Sequence, residues 1–171
     1  MNSLANNIIN YSRLCIDAIK KKKTESFADN DKYIKIFLEF IYLFINITDR
    51  IAFITLDLKE KTFYIDKLGK NIETILKNDI FKDHLSNQKE AFEVVFFQEL
   101  NSRMLEYYKY KKIVPKKEDS PKETLLWEFS KKMSQLIDNS FDITNMILVN
   151  DLIVHSMKEL KIKETIGKNN F

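Results

Sequence analysis

The sequence predicts an all-α fold: a single-domain bundle of about six helices around a central hydrophobic helix at about residues 32–57. Three observations predict it. The chain has two Gly and two Pro among 171 residues, too few turn formers for the many short connections of a sheet protein. Apolar residues recur at helical spacing in five separate windows. A sixth window, Tyr33 to Leu58 (YIKIFLEFIYLFINITDRIAFITLDL), is apolar almost all round, which is the pattern of a helix enclosed by others.

On a wheel of about 100° per residue, Glu39, Asn46, Arg50 and Asp57 of this window fall on one line within about 40°. Lys32 stands at its start, with Tyr42 and Asp49 beside it. An apolar body with a narrow polar stripe is the reverse of a surface helix. A membrane span would share the apolar body, but the uncharged run Phe40 to Thr48 stops at Asp49-Arg50, well short of the ~20 residues a bilayer needs. No membrane span is expected.

Composition narrows the function classes. The 28 basic and 25 acidic residues give a net charge of +3, a mixed surface and not a polyanion-binding one. Arginine, the favoured reader of bases and phosphates, occurs only at Arg13, Arg50 and Arg103, so nucleic acid is not expected as a partner. Cys15 is alone, which excludes a disulfide framework and a cysteine metal cluster. The N-terminal residues lack a basic segment followed by an apolar run, so the cytoplasm is the expected compartment. Asn46-Ile47-Thr48 matches the glycosylation acceptor pattern, but on a helix read as buried the match is fortuitous.

Residues 3 to 22 form the first helix, with Leu4, Ile8, Tyr11, Cys15, Ala18 and Ile19 on one face and Ser3 placed as N-cap. Lys20 to Lys23 close it, their charge suited to the negative end of the dipole. Thr24 to Asp31 is a polar connector into the central helix. A third helix follows from about Lys59 to Lys77 on Ile65, Leu68, Ile72, Ile75 and Leu76. Gly69 inside it costs roughly 1 kcal/mol against Ala and points to a closely packed neighbour. Near Asp57 the sequence is compatible with either a sharp turn or a straight run. Asn78 to Asn87, with His84, reads as a loop.

Ser86 begins the fourth helix, which is predicted to reach about Lys112 with Phe92, Phe96, Leu100, Met104 and Tyr107 on its apolar arc. Glu99 and Arg103 lie at the edge of that arc, spaced for an ion pair. Lys109 to Lys117 (KYKKIVPKK) is a basic linker. Ser120-Pro121-Lys122-Glu123 forms a capping box with Pro at the first helical position. It opens a fifth helix that carries Leu125, Leu126, Phe129, Met133, Leu136 and Ile137 on its core face. Trp127 points off that face, among Ser130, Ser134 and Asp138. After a short connection at Asn139 to Asp142, the last helix runs from Ile143 to Ile166 and stops at Gly167. Met146, Ile147, Ile153, Val154 and Met157 mark its core face, with Asn150 in their midst.

The sequence has no Gly-rich phosphate loop, no G-x-S-x-G elbow, and no H-E-x-x-H or EF-hand pattern. It also lacks the Glu-x-x-His pairs of di-iron bundles. Two constellations remain. Glu39, Asn46, Asp49, Arg50, Glu99, Arg103 and Asn150 are polar groups on otherwise apolar faces of three long helices. Buried charges must pair or reach water, so these residues form either an interior network that fixes helix register or a polar cleft holding a small anion on Arg50 and Arg103. Arg50 is expected to pair with Glu99. The second constellation is Asp151 with His155, one turn apart: a surface pair, or two ligands of a metal, with too few partners to define a site.

These observations point first to a non-enzymatic helical interaction or regulatory module. Thirteen Phe, seven Tyr and one Trp exceed what one six-helix core readily hides, so a homodimer or a helical partner is expected, with Trp127 as a contact residue. The alternative is a helical domain that binds a small apolar or anionic ligand in an interhelical pocket lined by Phe37, Phe44, Phe96, Met104 and Met157. An enzyme using the Asp49/Arg50/Glu99 cluster is a third. No cofactor is implied.

Overall fold

The computed structural model describes residues 2–23, 30–82, 89–115, 122–138 and 140–168. Every regular element among them is helical: α1 (Asn2–Lys22), α2 (Asn30–Thr55), α3 (Leu58–Ile75), α4 (Lys89–Tyr107), α5 (Leu125–Asp138), α6 (Ile143–Leu160) and a short α7 (Ile162–Lys168). α2 is the axis of the bundle and packs against α1, α3, α4, α5 and α7. From Ile36 to Asp49 every residue except Leu38 is buried. Aromatic rings fill the space around it. Phe40 lies over Phe44 and against Phe129 of α5, while Tyr42 meets Phe96 of α4. Full burial of each such side chain contributes about 1.5–3 kcal/mol, which is why an apolar body on α2 assembles the other helices around it.

The chain turns sharply at Asp57. Its carboxylate accepts from the Glu60 amide at 2.8 Å, and the Glu60 side chain reaches back to the Asp57 amide. This capping box starts α3. α3 ends in a single π turn, Leu76–Ile80, which buries Leu76 and Phe81. A Cβ at Gly69 would meet Phe97 at 3.4 Å and Leu100 at 3.6 Å, so α4 does cross closely there.

Helix boundaries differ in several places from those the sequence predicts: α2 is shifted by two residues, to Asn30–Thr55, the π turn takes up Asn78 to Ile80 of the expected loop, and four further differences follow. α1 begins at Asn2, so Ser3 lies inside the helix and not at its cap. α4 ends at Tyr107, one turn and more before Lys112. α5 begins at Leu125: Lys122 and Glu123 are in a turn, Glu123 with φ 68°, and the expected box does not start the helix. The first amides of α5 are satisfied instead by the preceding chain, Leu125 N to Lys112 O at 2.9 Å and Leu126 N to Ile113 O at 3.1 Å. Ser86, His84, Ser120 and Pro121 lie outside the described residues.

The fourth difference is a break in the last helix at Lys161, which is left-handed (φ 44°, ψ 44°). Leu160, Ile162 and Ile166 are all buried. Leu160 and Ile162 would lie about 200° apart on a continuous helix, so one of them would face water. The break sends Ile162 and Ile166 with α7 onto α2. A left-handed conformation costs a residue with a Cβ roughly 1–2 kcal/mol. Lys161→Gly is therefore expected to raise stability by about 0.5–1 kcal/mol, after the greater freedom of Gly in the unfolded chain is counted. Chemical denaturation midpoints check this.

Candidate functional site

The polar stripe of α2 faces the ends and flanks of its neighbours. Glu39 is 2% exposed and collects three donors. Arg103 Nε reaches Oε1 at 2.8 Å, while the Tyr107 hydroxyl and Lys132 Nζ both reach Oε2 at 3.0 Å. Arg103 also meets Glu99 at 3.1 Å and Glu106 at 3.7 Å. Lys132 reaches Glu106 at 3.3 Å and lies over the Tyr107 ring. Three helices, α2, α4 and α5, thus meet on one carboxylate. Burial, and then the Glu39 charge, push the Tyr107 pKa up. At Arg103 burial opposes the charge, but Glu39 together with Glu99 and Tyr107 more than offsets it and the pKa is raised.

Arg50 does not join this cluster. Its Nε donates to Asn46 Oδ1 at 2.9 Å, and its two terminal nitrogens donate to the carbonyls of Tyr110 and Tyr107 at 2.7 and 2.6 Å. The expected Arg50–Glu99 pair is replaced by Arg103–Glu99, because the end of α4 presents carbonyl oxygens with room for a further donor where Arg50 emerges and a planar fork fits them. Burial lowers the Arg50 pKa. Asn46 is completed by a contact from its amide to Met104 Sδ at 3.4 Å. Asp49 accepts from Tyr108 Oη and pairs with Lys61 of α3 at 2.9 Å. Burial, and then Asp49, push the Tyr108 pKa upward.

Of the seven polar residues in the first constellation, the structure joins Glu39, Arg103 and Glu99 in one network. Asn46, Asp49 and Arg50 form a second group at the end of α4. Asn150 belongs to neither, since it lines a hollow between α5 and α6 with Trp127. Asp151 and His155 are both exposed, and among the described residues no group of three or more His, Cys, Asp or Glu could hold a metal ion. Phe37, Phe44 and Phe96 of the expected ligand pocket are packed into the core, with Met104 and Met157 against it. Sequence reasoning missed Tyr107 and Lys132 as Glu39 partners. The signal was present for Tyr107, since a Tyr on a core face needs a partner for its hydroxyl.

A cleft of about 470 Å³ opens beside Glu39, lined by Asp31, Lys35, Glu99 and Arg103 among others. Its charged lining, Glu39 included, is three carboxylates against two cations. Arg50 is not part of it, and Arg103 is already engaged. An anion on Arg50 and Arg103 does not suit this geometry, because the excess of carboxylates repels it. Among the described residues no helix is long and apolar enough to cross a membrane. No family model, curated protein or solved structure matches the chain.

Glu39→Ala is expected to destabilise by roughly 2–4 kcal/mol, somewhat below the usual loss from a broken buried pair because Arg103 and Lys132 still reach solvent. Glu99→Ala, whose side chain is 48% exposed, is expected to cost less than about 1 kcal/mol. Equal effects in urea unfolding would contradict the burial difference. Arg50→Ala is expected to cost about 2–3 kcal/mol through the lost charge-assisted bonds. Arg50→Lys should restore less than half of this, since an ammonium cannot fork across Asn46 and two carbonyls. Hydrogen exchange at the last turn of α4 reads the same loss locally.

Proposed function

We propose that this chain is a non-enzymatic helical interaction module that associates with a second copy of itself. One feature of the polar residues supports a non-catalytic role: the charged groups of the α2 stripe are engaged with one another or with helix ends.

The observation that carries self-association is the corner between α2 and α3. Phe53, Ile54 and Leu58 are 68%, 84% and 72% exposed. Arg50 holds the end of α4, and α2 runs on past that residue to Thr55, so among the described residues no helix covers Phe53 and Ile54. Together they present on the order of 400 Å² of apolar surface, the scale at which a patch marks a contact site. Tyr108 is 46% exposed and bonded to Asp49 one turn before Phe53; Leu105 is 72% exposed, one turn before Tyr108. They extend the surface toward the ~800 Å² that each partner brings to a standard interface.

Asp57, Lys59 and Glu60 are exposed beside the patch and Lys61 lies against Phe53, a balance of two acidic and two basic groups. A neutral, apolar surface suits pairing with itself across a two-fold axis, where like meets like. Sedimentation equilibrium is expected to give a dimer in the micromolar range. The double variant Ile54→Lys/Leu58→Lys should be monomeric and keep the helical fold, since both residues are exposed, its melting temperature falling by no more than the stabilisation that dimerisation contributes. A wild-type chain that stays monomeric at about 100 µM, weaker than a typical specific complex, would sink the proposal.

A further inference from the structure

A second apolar hollow lies between α5 and α6, of about 350 Å³, with Leu126, Trp127 and Met146 in its lining. Ile143 and Ile147 also line it and are 59% and 58% exposed. Among the described residues nothing covers these two isoleucines on the groove wall. Ser130 is 1% exposed and also lines the hollow, and its hydroxyl finds no hydrogen-bond partner among the described residues. A buried hydroxyl left unbonded costs about 1–3 kcal/mol, so a group that satisfies it gains that back. Half-buried Asn150 offers an amide in the same lining.

At Thr124 the hollow adjoins a second one, lined by Lys109, Lys111, Lys112, Lys122 and a single acid, Glu123. Among the described residues the charge there is four basic groups against one. The juxtaposition of an apolar slot, an unbonded hydroxyl and a lysine-lined bowl defines the chemistry of an occupant. It has a large apolar side chain for the slot, a polar group for Ser130, and carboxylates for the bowl. Nucleic acid lacks the apolar anchor, and the bowl has no arginine fork for phosphates. A small apolar ligand would make no use of Lys109 and Lys111.

We infer that this surface docks an acidic peptide segment of a partner protein, one that joins a large apolar anchor to flanking Asp or Glu. It uses different helices from the α2–α3 corner, so it does not depend on self-association.

The test is a random peptide library displayed on phage, selected on the wild-type chain and counter-selected on Ile147→Lys. Enriched peptides should carry a large apolar residue and net negative charge. Synthesised, they should bind Ile147→Lys roughly tenfold or more weakly, as expected for loss of an anchor contact. They should bind Lys109→Glu/Lys111→Glu several-fold more weakly, with affinity falling as salt is raised. Ser130→Ala removes a hydroxyl that has no partner among the described residues, so it should fold at least as stably and still bind these peptides less tightly. The Ile54→Lys/Leu58→Lys variant should bind them as wild type does, which separates this site from the self-association surface.

Three results would overturn the inference. They are no enrichment over the counter-selected variant, enriched peptides that are neutral or basic, and submicromolar binding of a single-stranded RNA oligonucleotide at about 150 mM salt that is lost in the lysine variant.

Discussion

A single carboxylate almost sealed from water governs how three helices meet. Glu39 sits on the most apolar helix of the chain, at 2% exposure, and an unpaired charge there would cost several kcal/mol. Arg103 and Tyr107 from α4 and Lys132 from α5 come to it. Apolar packing by itself is non-directional and would tolerate α4 sliding or rotating along α2. A carboxylate with two oxygens and three donors does not. The other polar groups of the stripe act in the same way. Lys32 reaches the Ile137 carbonyl at the end of α5, Arg50 closes α4, Asp49 holds Lys61, and Asp57 starts α3. The polar line on α2 sets the placement of the neighbouring helices.

The same constraint explains what is left uncovered. Arg50 donates to the carbonyls of Tyr107 and Tyr110 where α4 stops, while α2 continues. Phe53 and Ile54 are the result. The connection that follows α4 then turns back so that Lys112 and Ile113 supply carbonyls to the first amides of α5. This leaves the lysines of that stretch around one hollow and Pro115 beside Trp127 in the next. Both exposed apolar surfaces therefore follow from where helices end, and helix ends follow from hydrogen-bond satisfaction.

The lysine runs illustrate how far charge alone can be read. Lys20 to Lys23 stand at a helix end, as expected for solvated cations near a negative dipole. Lys23 is also tied to Asp138 at 2.8 Å and Asp142 at 3.5 Å, pairings across the bundle that no local pattern contains. Lys70 of α3 and Lys77 of the π turn flank the fully buried Glu73 and reach Glu93 of α4. Cys15, in contact with Ser156 of α6, is a packing residue. Burial pushes its thiol up to about 11, away from the reactive range of cysteine chemistry.

The sequence by itself determined the helical class, the enclosed position of α2 and the faces that carry Leu4, Ile8, Phe96, Phe129 and Met133. Each rests on local periodicity or on scarce turn residues, which need no knowledge of neighbours. It also marked Glu39, Arg103 and Glu99 as groups that must find partners. Only the tertiary structure decided which partners: Arg50 took carbonyls and not Glu99, Lys132 arrived from a helix 93 residues away in sequence, and Asn150 went to a different surface. Only the tertiary structure broke the last helix at Lys161, since the need to bury both Leu160 and Ile162 exists only once α2 is there to receive α7. A sequence states which groups cannot be left alone in an apolar interior. Which group answers each depends on where the helix ends fall in space, and that is settled by the packing of the whole chain.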